Sequence, residues 1–336
     1  MINTLIVDDS SLARDIIRDF LEGDTTFNII GEAVDGEDGI EKILSLNPDL
    51  VTLDIEMPKK NGLEVIEEVL KKTYVPIVVI TSHDTAKTAY EATLRGAVEF
   101  YPKNTFSSDL GPEKQQRIYE TLKRISGVKA QKIITVHEPA PLKQLEKREI
   151  RAVVIASSTG GPKALSRFFS LLPGNFPVPI VIVQHNSSGF DHSFVQWLDT
   201  FTDLQVKIAE EGEIPTPGSV YIAQTDKHLE LRDFYLCYND EEPEGNQKPA
   251  ADVLFRTAAE SLGQSVISVV LTGMGADGAA GTKSIREYGG ITLAQDEESS
   301  LIYGMPKAAV ETGCVDIVLP LDKIPEELVN LTNNNE

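Results

Sequence analysis

Short apolar runs rich in β-branched residues alternate with longer amphipathic stretches along residues 1–122. In the stretch over residues 11–23, for example, apolar side chains recur at helical spacing, which predicts a helix with one buried face. Alternation of buried strands with helices is typical of a parallel sheet that is covered on both sides. We therefore predict a doubly wound α/β domain over residues 1–122, with strands in TLIVDD, NIIGEAV, LVTLDI, PIVVITS and VEFYPK.

The same alternation returns at residue 150 and predicts a second doubly wound α/β domain over residues 150–331, again with a mainly parallel sheet. The stretch LELRDFYLCYND has the pattern of a β-hairpin within this domain. Residues 123–149 have weak periodicity, so we expect a linker there, and we expect a disordered tail over residues 332–336. The strands of the second domain are predicted in AVVIAS, PVPIVIVQH, VYIA, SVISVVLTG, ITLAQ and VDIVL.

Charge narrows the choice of partners. The chain of 336 residues has a formal net charge of −21, with −11 on residues 1–122 and −14 on residues 151–336. Nucleic acid and anionic lipid are repelled by such a surface, so neither is expected as a main partner. The two cysteines, Cys237 and Cys314, suggest neither a disulfide framework nor a zinc site. Neither a signal peptide nor a membrane-spanning run is recognisable, so we expect a cytoplasmic protein without membrane insertion.

Three residue types used in acyl transfer each follow a predicted strand of the second domain. Ser158 follows AVVIAS, His185 ends PVPIVIVQH, and Asp277 lies in the loop after SVISVVLTG. The carboxyl ends of strands in an open α/β sheet face one common crevice, so these side chains are expected to converge. A serine nucleophile, a histidine base and an aspartate that orients the histidine form a serine-hydrolase site in any chain order. The sequence therefore predicts an enzyme of that class.

The turn that holds Ser158, ASSTGGP, suits this chemistry. Gly160 and Gly161 allow a tight turn, and Pro162 suits the first turn of a following helix. Free N–H groups at the start of that helix would stabilise a developing oxyanion. Taken alone, the turn is also compatible with a hydroxyl side chain that caps the helix or with a phosphate-binding loop. A lone His185 at a strand end would more often be a structural residue.

A second interpretation comes from the string GMGADG, which holds Asp277. It matches G-x-G-x-x-G after a strand, and Asp296 follows the next predicted strand. This is the pattern of a dinucleotide-binding turn with its ribose-binding acid, so an oxidoreductase is the alternative. That alternative leaves Ser158 and His185 without a role.

Acidic residues also follow strands of the first domain. Asp8 and Asp9 end the first predicted strand, and Asp54 ends the third. Three carboxylates that converge at one sheet edge favour Mg²⁺, and like charges so close require a cation or a raised pKa. Thr81 and Lys103 follow the fourth and fifth strands and would hold the oxygens of a phosphoryl group. For a single aspartate, capping of a helix is an equally good explanation.

The motifs LIVDDS, LDIEMPKKNG, VVITSHD and FYPKN of residues 1–122 strongly resemble a two-component receiver domain. The resemblance implies that Asp54 accepts a phosphoryl group from a histidine kinase. It also implies that Asp8 and Asp9 help to bind Mg²⁺, and it gives supporting roles to Thr81, Lys103 and the switching aromatic Phe100. The family usually has Lys-Pro where this chain has Lys103-Asn104. A trans bond is expected there, since a cis bond before asparagine costs about 3 kcal/mol, and Lys103 is expected to be aimed differently.

The second domain resembles the catalytic domain of the chemotaxis protein-glutamate methylesterase (CheB) family. The resemblance is dense over residues 150–328 and rests on ASSTGGPKAL, VQHNSSGFDHSF, VYIAQTDKHLEL, ADVLF, LTGMGADGAAG and AQDEESSLIYGMPKAA. It implies that Ser158 is the nucleophile, His185 the general base and acid, and Asp277 the orienting carboxylate. Thr159 and Met274 occupy positions that the family associates with the site. The chain departs from the family at HNSSGF, where HMPxGF is usual, and at Lys248-Pro249, where Arg-Pro is commoner.

A receiver followed by this domain is the architecture of that family. It implies hydrolysis of glutamate γ-methyl esters on methyl-accepting chemotaxis receptors, with release of methanol and activation by phosphorylation. Deamidation of glutamine by the same acyl chemistry is implied as well, and the hydrolysis itself requires no cofactor. A response regulator whose second domain only binds a partner is a further alternative.

Overall fold

Two parallel β-sheets, one in each half of the chain, organise the protein. A computed structural model describes residues 1–82, 86–106, 110–128 and 148–333. Contacts within the chain group it into two units, Met1–Ile133 and Ile134–Glu336. Most of the predicted linker, residues 129–147, lies outside the described residues.

Within its described residues, the first unit contains five strands and five α-helices, as the alternating pattern predicts. The strands are β1 (Ile2–Val7), β2 (Phe27–Ala33), β3 (Leu50–Leu53), β4 (Ile77–Thr81) and β5 (Glu99–Pro102). The helices are α1 (Ser11–Glu22), α2 (Gly36–Leu46), α3 (Gly62–Leu70), α4 (Ala86–Arg95) and α5 (Pro112–Ser126). All strands pair in parallel in the order β2-β1-β3-β4-β5, which confirms the predicted α/β sheet. Helix α5 continues to Ser126, so residues 123–126 of the predicted linker are helical, and Ile125 is buried.

The second unit has a larger sheet and a separate hairpin. The strands are β6 (Ala152–Ser157), β7 (Ile180–Gln184), β8 (Gln205–Ile208), β9 (Ser219–Ile222), β10 (His228–Arg232), β11 (Tyr235–Asn239), β12 (Val266–Val270), β13 (Ile291–Gln295) and β14 (Ile317–Leu319). The helices are α6 (Gly161–Phe169), α7 (Asp191–Leu198), α8 (Ala251–Leu262), α9 (Ala279–Glu287), α10 (Met305–Glu311) and α11 (Ile324–Thr332). Seven strands form a parallel sheet in the order β14-β13-β12-β6-β7-β9-β8. Strands β10 and β11 form the predicted antiparallel hairpin.

Strand β8 is absent from the prediction. It lies at the edge of the sheet, where Gln205 is exposed and Lys207 and Ile208 are only half-buried. The segment QVKI therefore alternates polar and apolar residues and lacks the continuous apolar run that marks the central strands. By contrast, every residue of β6, β7 and β12 is buried, in agreement with their predicted place inside the sheet.

The strand order places a crevice at a defined point of each sheet. In the first unit the chain goes from β1 to β2 on one side and then crosses to β3 on the other. In the second unit it goes from β6 to β7 and later returns to β12 on the opposite side of β6. Ligands bind beyond the carboxyl ends of the strands at such reversals of strand order. Binding residues are therefore expected directly after β1 and β3 in the first unit, and directly after β6 and β12 in the second.

The last helix of the second unit, α11, extends into the predicted tail. Helix α11 includes Thr332, which is buried and donates its hydroxyl to the Leu328 carbonyl at 2.7 Å, although the predicted tail begins there. Residues 334–336 lie outside the described residues. Within the part of the chain that the structure describes, no helix combines the length and apolarity needed to cross a membrane.

Candidate functional sites

Ser158 lies in a tight turn between β6 and α6. Its N–H donates to the Thr272 carbonyl at 3.1 Å, and its own carbonyl accepts from the Gly161 N–H at 2.7 Å. Gly160 adopts a positive φ of 77°, and a Cβ there would lie 2.8 Å from the side chain of Leu301. Glycine is therefore required at this position on both conformational and steric grounds. The Ser158 side chain is half-buried, so it is partly accessible.

His185 and Asp277 form a direct pair. His185 follows β7, its N–H donates to the Ser157 carbonyl at 3.0 Å, and its Nε2 lies 2.8 Å from Oδ2 of Asp277. Only 10% of the His185 side chain and 7% of the Asp277 side chain are exposed, so this bond is shielded from water. The sequence prediction that these residues converge with the Ser158 strand is consistent with this geometry, since β6 lies between β7 and β12.

The start of helix α8 holds the Asp277 carboxylate. The Ala251 N–H donates to Oδ2 at 2.7 Å, and the Asp252 N–H donates to Oδ1 at 2.9 Å. Burial acts to raise the pKa of Asp277, but the hydrogen bond and charge of His185 and these two N–H groups outweigh it and lower that pKa. Asp277 is therefore ionised and can only accept, which means that Nε2 of His185 carries the proton.

The tautomer of His185 follows from this pair. With its proton on Nε2, the neutral imidazole has a lone pair on Nδ1. Nδ1 is buried, and it has no hydrogen-bond partner among the described residues. The ring thus presents an unoccupied basic nitrogen, oriented by a carboxylate on its other side.

The backbone of Gly273 lies against the turn that holds Ser158. A Cβ built at Gly273 would be 2.8 Å from the Cβ of Ser158. Gly304 packs on the same loop, where a Cβ would be 2.6 Å from the Gly273 carbonyl oxygen and 3.3 Å from Cα of Met274. Gly273, the residue before Met274, thus lies beside Ser158, and the role of Met274 stays a prediction. Thr159 is buried next to this loop.

Two residues of this region were missed by sequence reasoning. Thr272 joins the loops of the predicted triad, since its hydroxyl donates to the Thr159 carbonyl at 3.1 Å and its carbonyl accepts from the Ser158 N–H at 3.1 Å. Asp252 accepts from the Gly281 N–H at 2.6 Å beside the Asp277 loop. Burial, with a further contribution from the charge of Asp277, raises the pKa of Asp252 to about 6. Thr272 lies two residues after β12 in LTGMGADGAAG, and Asp252 lies in ADVLF, but neither motif indicates these contacts.

The loop after His185, in which the chain departs from HMPxGF, is tied to the segment before β10. The Ser188 hydroxyl donates to Asp226 Oδ2 at 2.9 Å. Asp191 accepts at Oδ2 from the N–H of Thr225 at 3.0 Å and from its hydroxyl at 2.8 Å. The family's methionine and proline would stand at positions 186 and 187, and Ser188 occupies the variable position of HMPxGF, so these bonds do not depend on the departure.

The first unit has a carboxylate cluster at its own reversal of strand order. Asp8, Asp9 and Asp54 each offer an oxygen, and these oxygens lie within 4.8 Å of one another. Nζ of Lys103 lies 2.9 Å from Oδ2 of Asp8 and 2.8 Å from Oδ2 of Asp54. One ammonium cannot neutralise three carboxylates, and an all-oxygen donor set suits a divalent cation such as Mg²⁺. The residues present therefore fit such an ion.

The electrostatics of this cluster agree with that description. Burial raises the pKa of Asp54; the hydrogen bond from Lys103 opposes the rise, and the charge of Asp8 adds to it. Burial acts to lower the pKa of Lys103, but its bonds to Asp54 and Asp8 outweigh burial and raise it. Asp54 is 4% exposed, so its charge is poorly solvated and depends on partners such as Lys103 for compensation.

The remaining predicted residues of this cluster lie on neighbouring strands. Thr81 is buried at the end of β4, paired with Pro102 of β5. Phe100 is buried on β5, and its ring packs edge-on against Tyr90 with centroids 4.9 Å apart. The cis peptide bond of the described chain is Lys248-Pro249, so Lys103-Asn104 is trans, as predicted. Lys103 nevertheless reaches both carboxylates.

One α/β unit contains an acidic pocket of the phosphoryl-acceptor type, and the other contains a site of the serine-hydrolase type. Together these two features define a response regulator with a hydrolytic output domain. Residues 4–111 match the family model of the response regulator receiver domain, and residues 153–328 match that of the CheB methylesterase. The chain belongs to the CheB methylesterase family and carries a receiver domain.

Similar proteins agree over nearly the full length. The chain is 38% identical to a protein-glutamate methylesterase/protein-glutamine glutaminase of Pyrococcus abyssi, over 98% of this chain and 93% of that protein. It is 37% identical to the protein of the same name from Thermotoga maritima, over 98% of each. The crystal structure of the Thermotoga maritima CheB methylesterase catalytic domain matches 55% of this chain and all of that chain, with 44% identity and a TM-score of 0.53.

Nothing in these comparisons supports the dinucleotide-binding alternative. Asp296, the acid expected to bind a ribose, instead accepts from the Ser299 N–H at 2.9 Å and the Ser299 hydroxyl at 2.6 Å. Asp277, within the glycine-rich string, is engaged with His185.

Proposed function

We propose that the protein hydrolyses glutamate γ-methyl esters on methyl-accepting chemotaxis receptors, releasing methanol, and deamidates glutamine by the same route. The observation that carries this proposal is the pair of His185 Nε2 and Asp277 Oδ2 at 2.8 Å, whose strands lie on either side of β6, the strand that Ser158 follows. Membership of the CheB family and relatives named protein-glutamate methylesterase/protein-glutamine glutaminase support the choice of substrate.

The proposed mechanism begins with proton transfer from the Ser158 hydroxyl to Nδ1 of His185. The serine oxygen attacks the ester carbonyl, and the resulting oxyanion is stabilised by the Met274 N–H and by the start of α6. Collapse of this intermediate breaks the bond to the methoxy group, and His185 gives its proton to the leaving oxygen, so that methanol departs. Water then repeats the sequence on the glutamyl-enzyme, which yields glutamate and regenerates Ser158. Asp277 holds the imidazole and stabilises its positive charge.

The receiver is proposed to control this reaction. Asp54 accepts a phosphoryl group from a chemotaxis histidine kinase, and Asp8, Asp9 and Asp54 would hold Mg²⁺. Such an ion would supply positive charge next to the phosphate oxygens. Lys103 pairs with the phosphoryl group, and Thr81 and Phe100 rearrange in response. Phosphorylation lifts an inhibition of the second domain. With receptor and kinase partners of this kind, the protein would act in the cytoplasm.

The central experiment measures methanol release from methylated receptors by the purified full chain. Ser158→Ala should reduce the rate by several orders of magnitude, because no other side chain can form the acyl-enzyme. Ser157→Ala is the matched control and should cost far less. Loss of activity in the Ser157 variant with retention in the Ser158 variant would show that the nucleophile is assigned to the wrong residue. Absence of methanol release from the unmodified and the phosphorylated chain would favour a non-catalytic interaction module.

Phosphorylation is tested separately with acetyl phosphate. The wild-type chain should incorporate one phosphoryl group in the presence of Mg²⁺ and none in excess chelator. Asp54→Asn should prevent incorporation, because it removes the acceptor oxygen. Asp35→Asn, in a residue that caps α2 outside the cluster, should leave incorporation intact. Incorporation that survives the chelator would contradict the proposed Mg²⁺ site.

A further inference from the structure

A buried glutamine between the two strands of the site has no role in the mechanism above. Gln184 is the last residue of β7, and it is 2% exposed. Its Oε1 accepts from the hydroxyl of Ser157 at 2.7 Å. Its Nε2 donates to the carbonyl of Ser158 at 3.1 Å and to the carbonyl of His185 at 2.9 Å. One amide therefore binds the backbone of both the proposed nucleophile and the proposed base.

These bonds begin where the sheet ends. Ser157 and Gln184 are the last residues paired in the β6–β7 ladder. Beyond them, the backbones of Ser158 and His185 leave the sheet in separate loops. The two N–H groups of an amide side chain can span such a gap because they are rigidly fixed relative to each other. Gln184 thus continues the connection between the strands beyond the ladder.

The amide itself cannot move freely. The Ser157 hydroxyl that binds Oε1 is fully buried. The backbone at the start of α6 closes over the other side, since a Cβ built at Gly161 would lie 2.0 Å from Oε1 of Gln184. Packing and hydrogen bonds therefore hold the amide in one orientation.

We infer that Gln184 is a positioning residue that fixes the separation and orientation of Ser158 and His185, with Ser157 as its anchor. This inference rests on the proposed function of that pair. Proton transfer from a hydroxyl to an imidazole requires a heavy-atom distance near that of a hydrogen bond. A displacement of about 1 Å can reduce the rate about 100-fold. A side chain that binds both backbones therefore affects the rate of the reaction.

The test uses the full chain and Gln184→Met, which keeps the length and approximate volume of the side chain but removes its donors and acceptor. We expect kcat for methanol release to fall by about 10–100-fold with KM changed by less than about threefold, because the geometry of the reacting pair is altered rather than substrate binding. Labelling of Ser158 by a fluorophosphonate should slow by the same factor, since it depends on the same proton transfer. Ser157→Ala leaves both carbonyl bonds in place and should produce a smaller decrease.

Thr292→Val is the matched control for stability. Thr292 is fully buried in β13 and donates its hydroxyl to the Cys314 carbonyl at 2.6 Å, at the opposite end of that strand from the site. It should lower the midpoint of thermal unfolding as much as Gln184→Met does, with kcat and labelling unchanged. If Gln184→Met does not fold, Gln184→Glu retains the shape and loses donor capacity, and the same loss of kcat is expected.

Wild-type kcat and labelling in both Gln184 variants would overturn the inference. So would a loss of activity in Thr292→Val equal to that in Gln184→Met, because the effect would then reflect general destabilisation. Failure of the proposed function looks different: the wild-type chain would neither release methanol nor be labelled at Ser158.

Discussion

Replacement of Asp277 by asparagine tests the proposed site most directly, because the carboxylate accepts a hydrogen bond from four donors. Oδ2 accepts from His185 Nε2 at 2.8 Å and from the Ala251 N–H at 2.7 Å. Oδ1 accepts from the Asp252 N–H at 2.9 Å and from the Gly278 N–H at 3.0 Å. Asparagine keeps the shape but turns one of the two acceptors into a donor.

The orientation of the new amide follows from these contacts. An NH₂ group in the place of Oδ1 would leave two backbone N–H groups, those of Asp252 and Gly278, without an acceptor. An NH₂ group in the place of Oδ2 would leave only the Ala251 N–H unpaired, because His185 can transfer its proton to Nδ1 and accept at Nε2. The second orientation therefore costs less. It also makes Nδ1 a donor, so that His185 can no longer take the proton of Ser158.

The expected magnitudes differ for activity and stability. Loss of the correct tautomer in a Ser-His-Asp triad lowers kcat about 10⁴-fold, which corresponds to about 5 kcal/mol in activation free energy. One unpaired buried N–H lowers the free energy of unfolding by about 1–3 kcal/mol. Methanol release measures the first, urea unfolding the second, and ¹⁵N NMR of the His185 ring the tautomer. A kcat within tenfold of wild type, or a ring that keeps its proton on Nε2, would refute this reasoning.

Three further results are expected. Gly304→Ala should lower kcat at least about tenfold, since its Cβ would lie 2.6 Å from the Gly273 carbonyl oxygen and overpacking there would displace the loop beside Ser158. Gly111→Ala is the control, because a Cβ there meets nothing within 4 Å. Equal kcat in both variants would contradict the packing argument. Because burial raises the pKa of Asp252 to about 6, the folded protein binds this proton more tightly than the unfolded chain, so the contribution to stability is present at low pH and is lost as pH rises from about 4 to about 6. Asp252→Asn should remove this loss of stability, which is at most about 3 kcal/mol. The gain is smaller because asparagine accepts a weaker hydrogen bond from the Gly281 N–H. An unchanged pH profile of urea unfolding would be evidence against this role of Asp252. Residues 148–336 alone should hydrolyse ester at least as fast as the phosphorylated full chain and faster than the unmodified chain, whereas equal rates would exclude inhibition by the receiver.

The central strands of both sheets could be predicted because strands that are buried on both faces consist of apolar residues. Strands β6, β7 and β12 are buried on both faces and read as continuous apolar runs. Strand β8 was missed because the edge of a sheet needs only one buried face, and Lys207 and Gln205 there are compatible with a loop. The expectation that Ser158, His185 and Asp277 converge came from the rule that parallel strands end at one edge, and the structure pairs His185 with Asp277.

The fine structure of the site could not be predicted in the same way. Which nitrogen of His185 faces Asp277 depends on side-chain orientation, which strand order does not determine. The support of Asp277 by the start of α8 joins positions 251 and 277, and the bond between Ser157 and Gln184 joins two different strands. Such contacts depend on tertiary packing, and Gln184 in the sequence alone is simply the last residue of an apolar run.

The two units use the same topological device for different chemistry. In each, the chain starts in a central strand, adds a neighbour on one side and returns on the other, so one reversal of strand order is flanked by residues far apart in sequence. Asp8 and Asp54 flank it in the first unit, where like charges at close range require a cation. Ser158 and Asp277 flank it in the second, where His185, from the strand on the other side of β6, reaches the carboxylate. The scaffold thus brings side chains together, and their types decide the chemistry, which is why the residues at these strand ends carry more functional information than the strands themselves.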